Sequence, residues 1–375
     1  MDKTLAITMA KKLAQQFATR ADEADVNGAL PAEDIQDLQE SGYLILSVPR
    51  DYGGFGLSLR DCLAAHLELA QGSGSTAMVA GMQIHLFGHQ NECHSWPAVA
   101  FERLCQMAVG GGLFNIVASE PALGSPSRGG LPLTEALHTK EGWLLNGHKT
   151  WITGGRHLTH MLVTCRIEDD QARVLVQQTT PGIKWLETWH DALSLRASDS
   201  HDVYFQDVLV PLDHLITRGP NDKPSVNAWF PMVMATTYLG EAIAARNTVI
   251  RFALERVPTA LGKPIATRPK IQLQIGEIDL VLQVARALLF EVAAEWTGST
   301  EDRDSQYPRV VAAKTFAVDA ANEATQKALQ VAGGEGLTKT MPLERHFRDV
   351  RAGTMQPPSG DTAFEAIGRN AIYDE

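Results

Sequence analysis

The sequence predicts an α+β protein in three parts: a helical N-terminal domain over residues 1–113, a central antiparallel β domain over 114–222 and a C-terminal helical bundle over 223–375. Three observations carry that prediction. Apolar residues recur at helical spacing through Leu5–Phe17 and again through Asp61–Gln71. Short apolar or β-branched runs bounded by turn residues fill the middle of the chain. Beyond it, Ile271, Ile275, Ile278, Leu282, Ala285, Leu289, Val292 and Trp296 alternate spacings of four and three, which marks one long helix with a continuous apolar seam.

Between the first two helical stretches, Val48-Pro49-Arg50-Asp51-Tyr52-Gly53-Gly54-Phe55-Gly56 has the glycine and proline density of a shaped loop. In the middle, Trp143–Leu145, Met161–Cys165 and Arg173–Val176 read as strands. Asn146-Gly147, Glu168-Asp169-Asp170 and Thr179-Thr180-Pro181-Gly182 read as the tight turns between them. The bundle adds a helix carrying Leu239, Ile243, Ile250, Leu254 and Val257, and an alanine-rich helix from Pro308 to about Ala332. The seam over Ile271–Trp296 reads first as bundle core. Bundles of this kind pair across subunits, so a dimer or tetramer is expected.

Composition narrows the function. The 375 residues carry a net charge of −11, which excludes a general nucleic-acid binder because no basic face could dominate such a field. No apolar run approaches the length of a membrane span, and Met1–Arg20 reads as an amphipathic helix rather than a signal peptide. A cytoplasmic location follows as the expectation. Cys62, Cys93, Cys105 and Cys165 are scattered without metal-ligand spacing and read as reduced, mostly buried residues. His85 and His89 stand four apart on an expected helix, but no third ligand accompanies them, so no metal site is expected. G-x-S-x-G, P-loop and strand-linked G-x-G-x-x-G signatures are absent, and Gly110-Gly111-Gly112 reads as a domain-joining turn.

Five segments carry chemistry. Ile116–Ser125 opens the β region, Asn146–Gly155 and Ser200–Pro211 follow, and the bundle contributes Gln330-Val331-Ala332-Gly333-Gly334-Glu335-Gly336 and then Arg348-Asp349. With these segments in this order, nearly the whole chain resembles the acyl-CoA dehydrogenase superfamily of FAD-dependent oxidoreductases. The resemblance implies that Ile116, Ser119 and Ser125 line the pyrimidine edge and pyrophosphate of FAD. It further implies that Trp151 covers one side of the flavin ring, that Thr153 lies near N5, and that Thr354 and Gln356 complete the flavin contacts. A flavin needs such backbone donors, a hydroxyl near N5 and an aromatic wall against water. Otherwise Trp151 reads as β-domain core and Thr153 as a turn residue. In the family an Arg/aromatic segment of one chain meets a Gln-x-x-Gly-Gly turn of another around the adenosine. Gln330, Gly333 and Gly334 match the turn, and Arg256 matches the arginine, although an insertion follows it and Leu261 holds the aromatic position.

The resemblance breaks at the base. Thioester dehydrogenation needs a carboxylate to remove the α-proton, usually the glutamate of a Tyr-Glu-Gly-Thr segment. Here that segment is Arg351-Ala352-Gly353-Thr354, so Ala352 stands at the base position, ahead of a lengthened loop. The other family location, before the first bundle helix, carries Trp229 and Phe230, which with Gly353 are expected to line the substrate pocket. Three readings stay open. In the first, an acyl-CoA or related thioester is dehydrogenated by a displaced base, Asp361 or Glu365; both equally read as helix caps, Thr362-x-x-Glu365 forming a capping box. In the second, the chain is a flavin monooxygenase of the same fold, served by a flavin reductase where the first reading needs an electron acceptor, with His85 near the flavin; His85 equally reads as a half-buried helix residue. In the third, the chain is a flavoprotein without catalytic activity.

Overall fold

The computed structural model describes residues 1–123, 130–219, 226–298 and 303–373. Six helices come first: α1 (Lys3–Ala18), α2 (Ala21–Asn27), α3 (Ala32–Ser41), α4 (Leu59–Leu69), α5 (Gly74–Cys93) and α6 (Ala98–Val109). Their starts are set locally. The side chains of Asp2, Ser58 and Ser73 accept from the amides of Leu5, Asp61 and Thr76, satisfying N–H groups that have no partner inside the helix. Helix α5 is buried on nearly all sides over Gly74–Gly88, which is why it shows no amphipathic period in the sequence. The Val48–Gly56 segment folds back on itself: the amides of Gly54 and Gly56 donate to the carbonyls of Pro49 and Val48. A side chain at Gly54 would collide with the Val48 carbonyl at 2.2 Å.

Among the described residues eight strands follow: β1 (Phe114–Val117), β2 (Glu135–His138), β3 (Trp143–Ile152), β4 (His160–Ile167), β5 (Asp170–Gln177), β6 (Ile183–Leu186), β7 (His201–Val210) and β8 (Leu215–Arg218). They form one sheet in the order β6-β7-β3-β2-β4-β5-β8, with β1 against β4. The sheet is mostly antiparallel, as expected, with β1 and β2 both running parallel to β4. Asn146-Gly147 is not a turn. It lies inside β3 at a register shift against β7, where Asn146 exchanges two side-chain hydrogen bonds with Asp207. A bulge uses the same residue chemistry as a tight turn, so the dipeptide alone does not separate the two. Glu168–Asp170 and Thr179–Gly182 do join strands as expected.

The C-terminal helices are α7 (Trp229–Glu255), α8 (Pro269–Gly298), α9 (Arg303–Ala332), α10 (Leu343–Asp349) and α11 (Gly360–Tyr373). Val257 falls just outside α7, which ends ahead of Pro258, and α9 begins before Pro308. The seam residues Ile278, Leu282, Ala285, Leu289, Val292 and Trp296 are buried in the chain's own core. A second row on α8, Leu273, Leu280 and Val284, is exposed.

Buried polar groups tie the helices to one another and to the β part. Glu241 of α7 accepts from the Gly74 amide at the start of α5 and pairs with His346 of α10. Asp349 accepts from the Leu195 amide at 2.7 Å, and its carbonyl accepts from Ser194 Oγ at 2.6 Å. Burial, reinforced by the neighbouring Glu241 charge, pushes the Asp349 carboxyl up to about 8.

Candidate functional site

One wall of the site comes from the sheet. Between Lys149 and Ile152 the pairing of β3 with β7 slips. Trp151 sits in that slip with φ at +60° and is 56% exposed, an unusual state for a tryptophan on a strand. Its indole is therefore a solvent-facing aromatic plate and not β-domain core. Next to it, Thr153 Oγ1 is 3.0 Å from Ser200 Oγ, which is 2.8 Å from Ser198 Oγ. Asn115 Nδ2 donates to the Thr153 carbonyl at 2.9 Å, and the Thr150 amide to the Ser119 carbonyl at 3.0 Å. The sheet thus brings Ile116, Ser119, Trp151 and Thr153 to one edge. Ser125 lies outside the described residues.

A buried ion pair sets the shape of that edge. Lys149 Nζ donates to Glu120 Oε1 at 2.8 Å and to the Ala118 carbonyl at 3.1 Å, both side chains being closed off from solvent. Glu120 also accepts from the amides of Leu133 and Thr134. Burial would raise the Glu120 carboxyl, but Lys149 and these amides hold it below its ordinary value.

The second wall lies between α5, α7 and the loop after α10. The Phe230 ring meets His85 edge-on, centroids 5.1 Å apart, and Trp229 covers Gly88 so closely that a Cβ there would lie 2.3 Å from the indole. Burial, with His89 adding to it, drives the His85 imidazole down to about 3, so it is neutral. Gly353 packs on the Tyr238 ring and Val318, with no space for a side chain. Ala352 is partly buried, and Thr354 and Met355 are exposed. Four polar atoms here lack a hydrogen-bond partner among the described residues: His85 Nδ1, Trp229 Nε1, Tyr238 Oη and Gln356 Oε1. Orphaned buried polar atoms cost about 1–3 kcal/mol each unless a water or ligand satisfies them.

Two expectations change. Asp361 is exposed in the first turn of α11 and is not part of this wall. The capping box also does not form, because Thr362 donates back to the Ser359 carbonyl and Glu365 pairs with Arg369 one turn on. Within the chain, Arg256 lies 3.6 Å from Glu335, beside Gly333 and Gly334, whose surroundings are open. The reason is the packing of α7 on α9, which brings their C-terminal ends together.

Family models for the acyl-CoA dehydrogenase N-terminal, middle and C-terminal domains match residues 2–93, 115–208 and 232–356. This chain belongs to the acyl-CoA dehydrogenase family. It is 36% identical over 366 residues to a putative acyl-CoA dehydrogenase of Bacillus subtilis, covering 96% of this chain and 95% of that one. Among solved structures it resembles butyryl-CoA dehydrogenase of Megasphaera elsdenii (TM-score 0.85, 22% identity, 99% and 100% of the two chains covered). It resembles a Paenibacillus dibenzothiophene monooxygenase to the same degree (TM-score 0.84, 21% identity, 99% and 97% covered). At such identities these two likenesses establish the fold alone. Membership makes the protein a flavin-dependent oxidoreductase whose cofactor is FAD. The exposed Trp151 plate, the hydroxyl of Thr153 and the open Gly333-Gly334 turn suit that group. Among the described residues no helix is long and apolar enough to cross a membrane.

Proposed function

We propose that this member of the family is a flavin monooxygenase of a small, largely apolar substrate, with thioester dehydrogenation as the second reading. What carries the proposal is the wall around Phe230: Ala352 and Trp229-Phe230 occupy both family positions for a base, Asp361 faces solvent, and His85 is held neutral. Removing an α-proton without a positioned base forfeits about 10²–10⁴-fold in rate, whereas oxygen insertion makes no such demand on these positions.

In this reading Ile116, Ser119, Ser125, Trp151, Thr153, Thr354 and Gln356 hold the flavin, and Arg256, Gln330, Gly333 and Gly334 face its adenosine half. When bound and reduced, FAD supplies two electrons to oxygen, one oxygen atom entering the substrate and the other leaving as water. Trp151 excludes water from one side. Thr153 is a hydroxyl donor oriented by Ser200, and His85 is a neutral hydrogen-bonding group rather than an acid. Trp229, Phe230 and Gly353 shape the substrate space, and the unpartnered Trp229 Nε1 and Tyr238 Oη favour a substrate with a polar atom to receive them. The electrons come from a separate reductase, and the compartment is the cytoplasm. The domain limits stay at 113/114 and 222/223. The exposed row on α8 and the Arg256 face give a neighbouring copy its contact in a dimer or tetramer.

The second reading draws on the 36% identical relative, which is named a putative acyl-CoA dehydrogenase. One experiment separates the two. Purified FAD-loaded protein is mixed anaerobically with a panel of acyl-CoA thioesters, and separately reduced chemically and exposed to oxygen with candidate substrates such as indole. Rapid anaerobic bleaching by a thioester defeats the monooxygenase proposal. Oxygen-dependent product that is lost in His85→Ala supports it.

A further inference from the structure

Lys314 of α9 is buried, and among the described residues no carboxylate hydrogen-bonds to it. Its Nζ donates instead to three backbone carbonyls: Gly353 at 3.0 Å, Gln356 at 2.8 Å and Pro358 at 2.8 Å. An ammonium has three protons, so all of its donors are used. The three acceptors belong to the loop joining α10 to α11, the same loop in which Ala352 replaces the family's carboxylate. The start of the loop is held to α9 by Asn322, which accepts from Arg351 and donates to the Val350 carbonyl at 3.4 Å, and beyond it the other anchors are few. The Met355 amide donates to the Ala352 carbonyl, Thr354 Oγ1 to the Arg351 carbonyl, and Gln356 Nε2 makes a long contact of 3.8 Å with Met78. Gly353 is pressed on Tyr238 and Val318 from below, while Thr354 and Met355 stand out in solvent. Packing therefore fixes one point of the loop, and Lys314 fixes the path from that point to Pro358.

We infer that Lys314 is a positioning residue for the pocket loop: its ammonium, by gathering the carbonyls of Gly353, Gln356 and Pro358, sets where Thr354 and Gln356 stand. It touches neither flavin nor substrate, and with its three protons engaged it is not available as a nucleophile. Hydrogen bonds to a charged group are the stronger class, and three on one atom define a point in space as a single bond does not. The inference rests on the assignment of this loop to the pocket, but not on which of the two reactions the pocket performs.

The test uses FAD-loaded protein and the variants Lys314→Met, Lys314→Gln and Lys314→Arg, followed by hydrogen–deuterium exchange of the peptide covering residues 352–358. In Lys314→Met the amides of this loop are expected to exchange about tenfold faster or more, while those of α4 and β4 are unchanged. Lys314→Arg, which keeps charge and donors, restores part of the protection. The visible spectrum of bound flavin shifts in the Met variant and recovers toward wild type in the Arg variant, a response that loss of stability alone would not give. If Lys314→Met does not accumulate as folded protein, Lys314→Gln replaces it with the same expectation. Unchanged loop exchange and an unchanged flavin spectrum in the neutral variant overturn the inference. If the loop responds but neither thioesters nor oxygen give turnover, the functional reading fails while this one stands.

Discussion

Replacing Lys149 by methionine tests whether the buried pair with Glu120 holds the edge of the sheet where Ser119 and Trp151 lie. Both side chains are closed to solvent, at 0% and 2% exposure, and methionine fills most of the same volume. Removing one partner of a buried pair costs about 3–5 kcal/mol because the other charge is left in a low-dielectric site. Glu120 keeps the amides of Leu133 and Thr134, at 2.7 and 3.0 Å, so the low end, about 3 kcal/mol, is the expected value. The Glu120 carboxyl then loses the partner that, with these amides, holds it below its ordinary value. The assay is a double-mutant cycle of Lys149→Met and Glu120→Gln by urea unfolding, with flavin retention on gel filtration read in parallel. The double variant is expected to be more stable than the sum of the singles, by about 1–3 kcal/mol of coupling. Flavin retention should fall in each single variant. A Lys149→Met protein within about 1 kcal/mol of wild type, or additive singles, would refute the role given to this pair.

His66 bridges Tyr43 and Thr237, and burial drives it, like His85, down to about 3. Between pH 6.5 and 3 the unfolded chain therefore binds protons that the folded chain does not. The histidines' contribution is complete above pH 6.5 and falls by up to about 1.4 kcal/mol per pH unit for each as pH drops toward 3, while Asp349, raised to about 8, has the opposite slope and offsets one histidine's share. Urea midpoints at pH 7, 6, 5 and 4 should show this limb, and His66→Gln should flatten it by one histidine's share; equal slopes would count against the assignment. Gly88→Ala pushes a methyl group to 2.3 Å from the Trp229 ring, which should cost about 1–3 kcal/mol and shrink the substrate space, seen as weaker binding of bulky ligands before small ones. Trp151→Ala removes the exposed plate; flavin affinity should fall about 10- to 100-fold, the equivalent of burying one aromatic side chain, and an unchanged affinity would place the flavin elsewhere.

The sequence by itself determined the order of helices, sheet and bundle, because hydrophobic period is a local property and each element was long enough to display it. The α8 seam and the turns at Glu168–Asp170 and Thr179–Gly182 were legible there. A buried lysine could in principle have been noticed: Lys314 interrupts the apolar row Val310, Val311, Ala317 and Val318 at helical spacing. Its meaning could not, since its three acceptors lie 39 to 44 residues further along the chain. The same holds for Lys149 with Glu120, 29 residues apart, and for Glu241 with Gly74, 167 apart. Tertiary structure alone decided that Asn146-Gly147 is a bulge, that Asp361 faces solvent, that Arg256 meets Glu335 within one chain, and that Trp151 is turned outward. Each depends on which distant backbone lies alongside, and that is settled by packing the whole chain, not by the residues on either side.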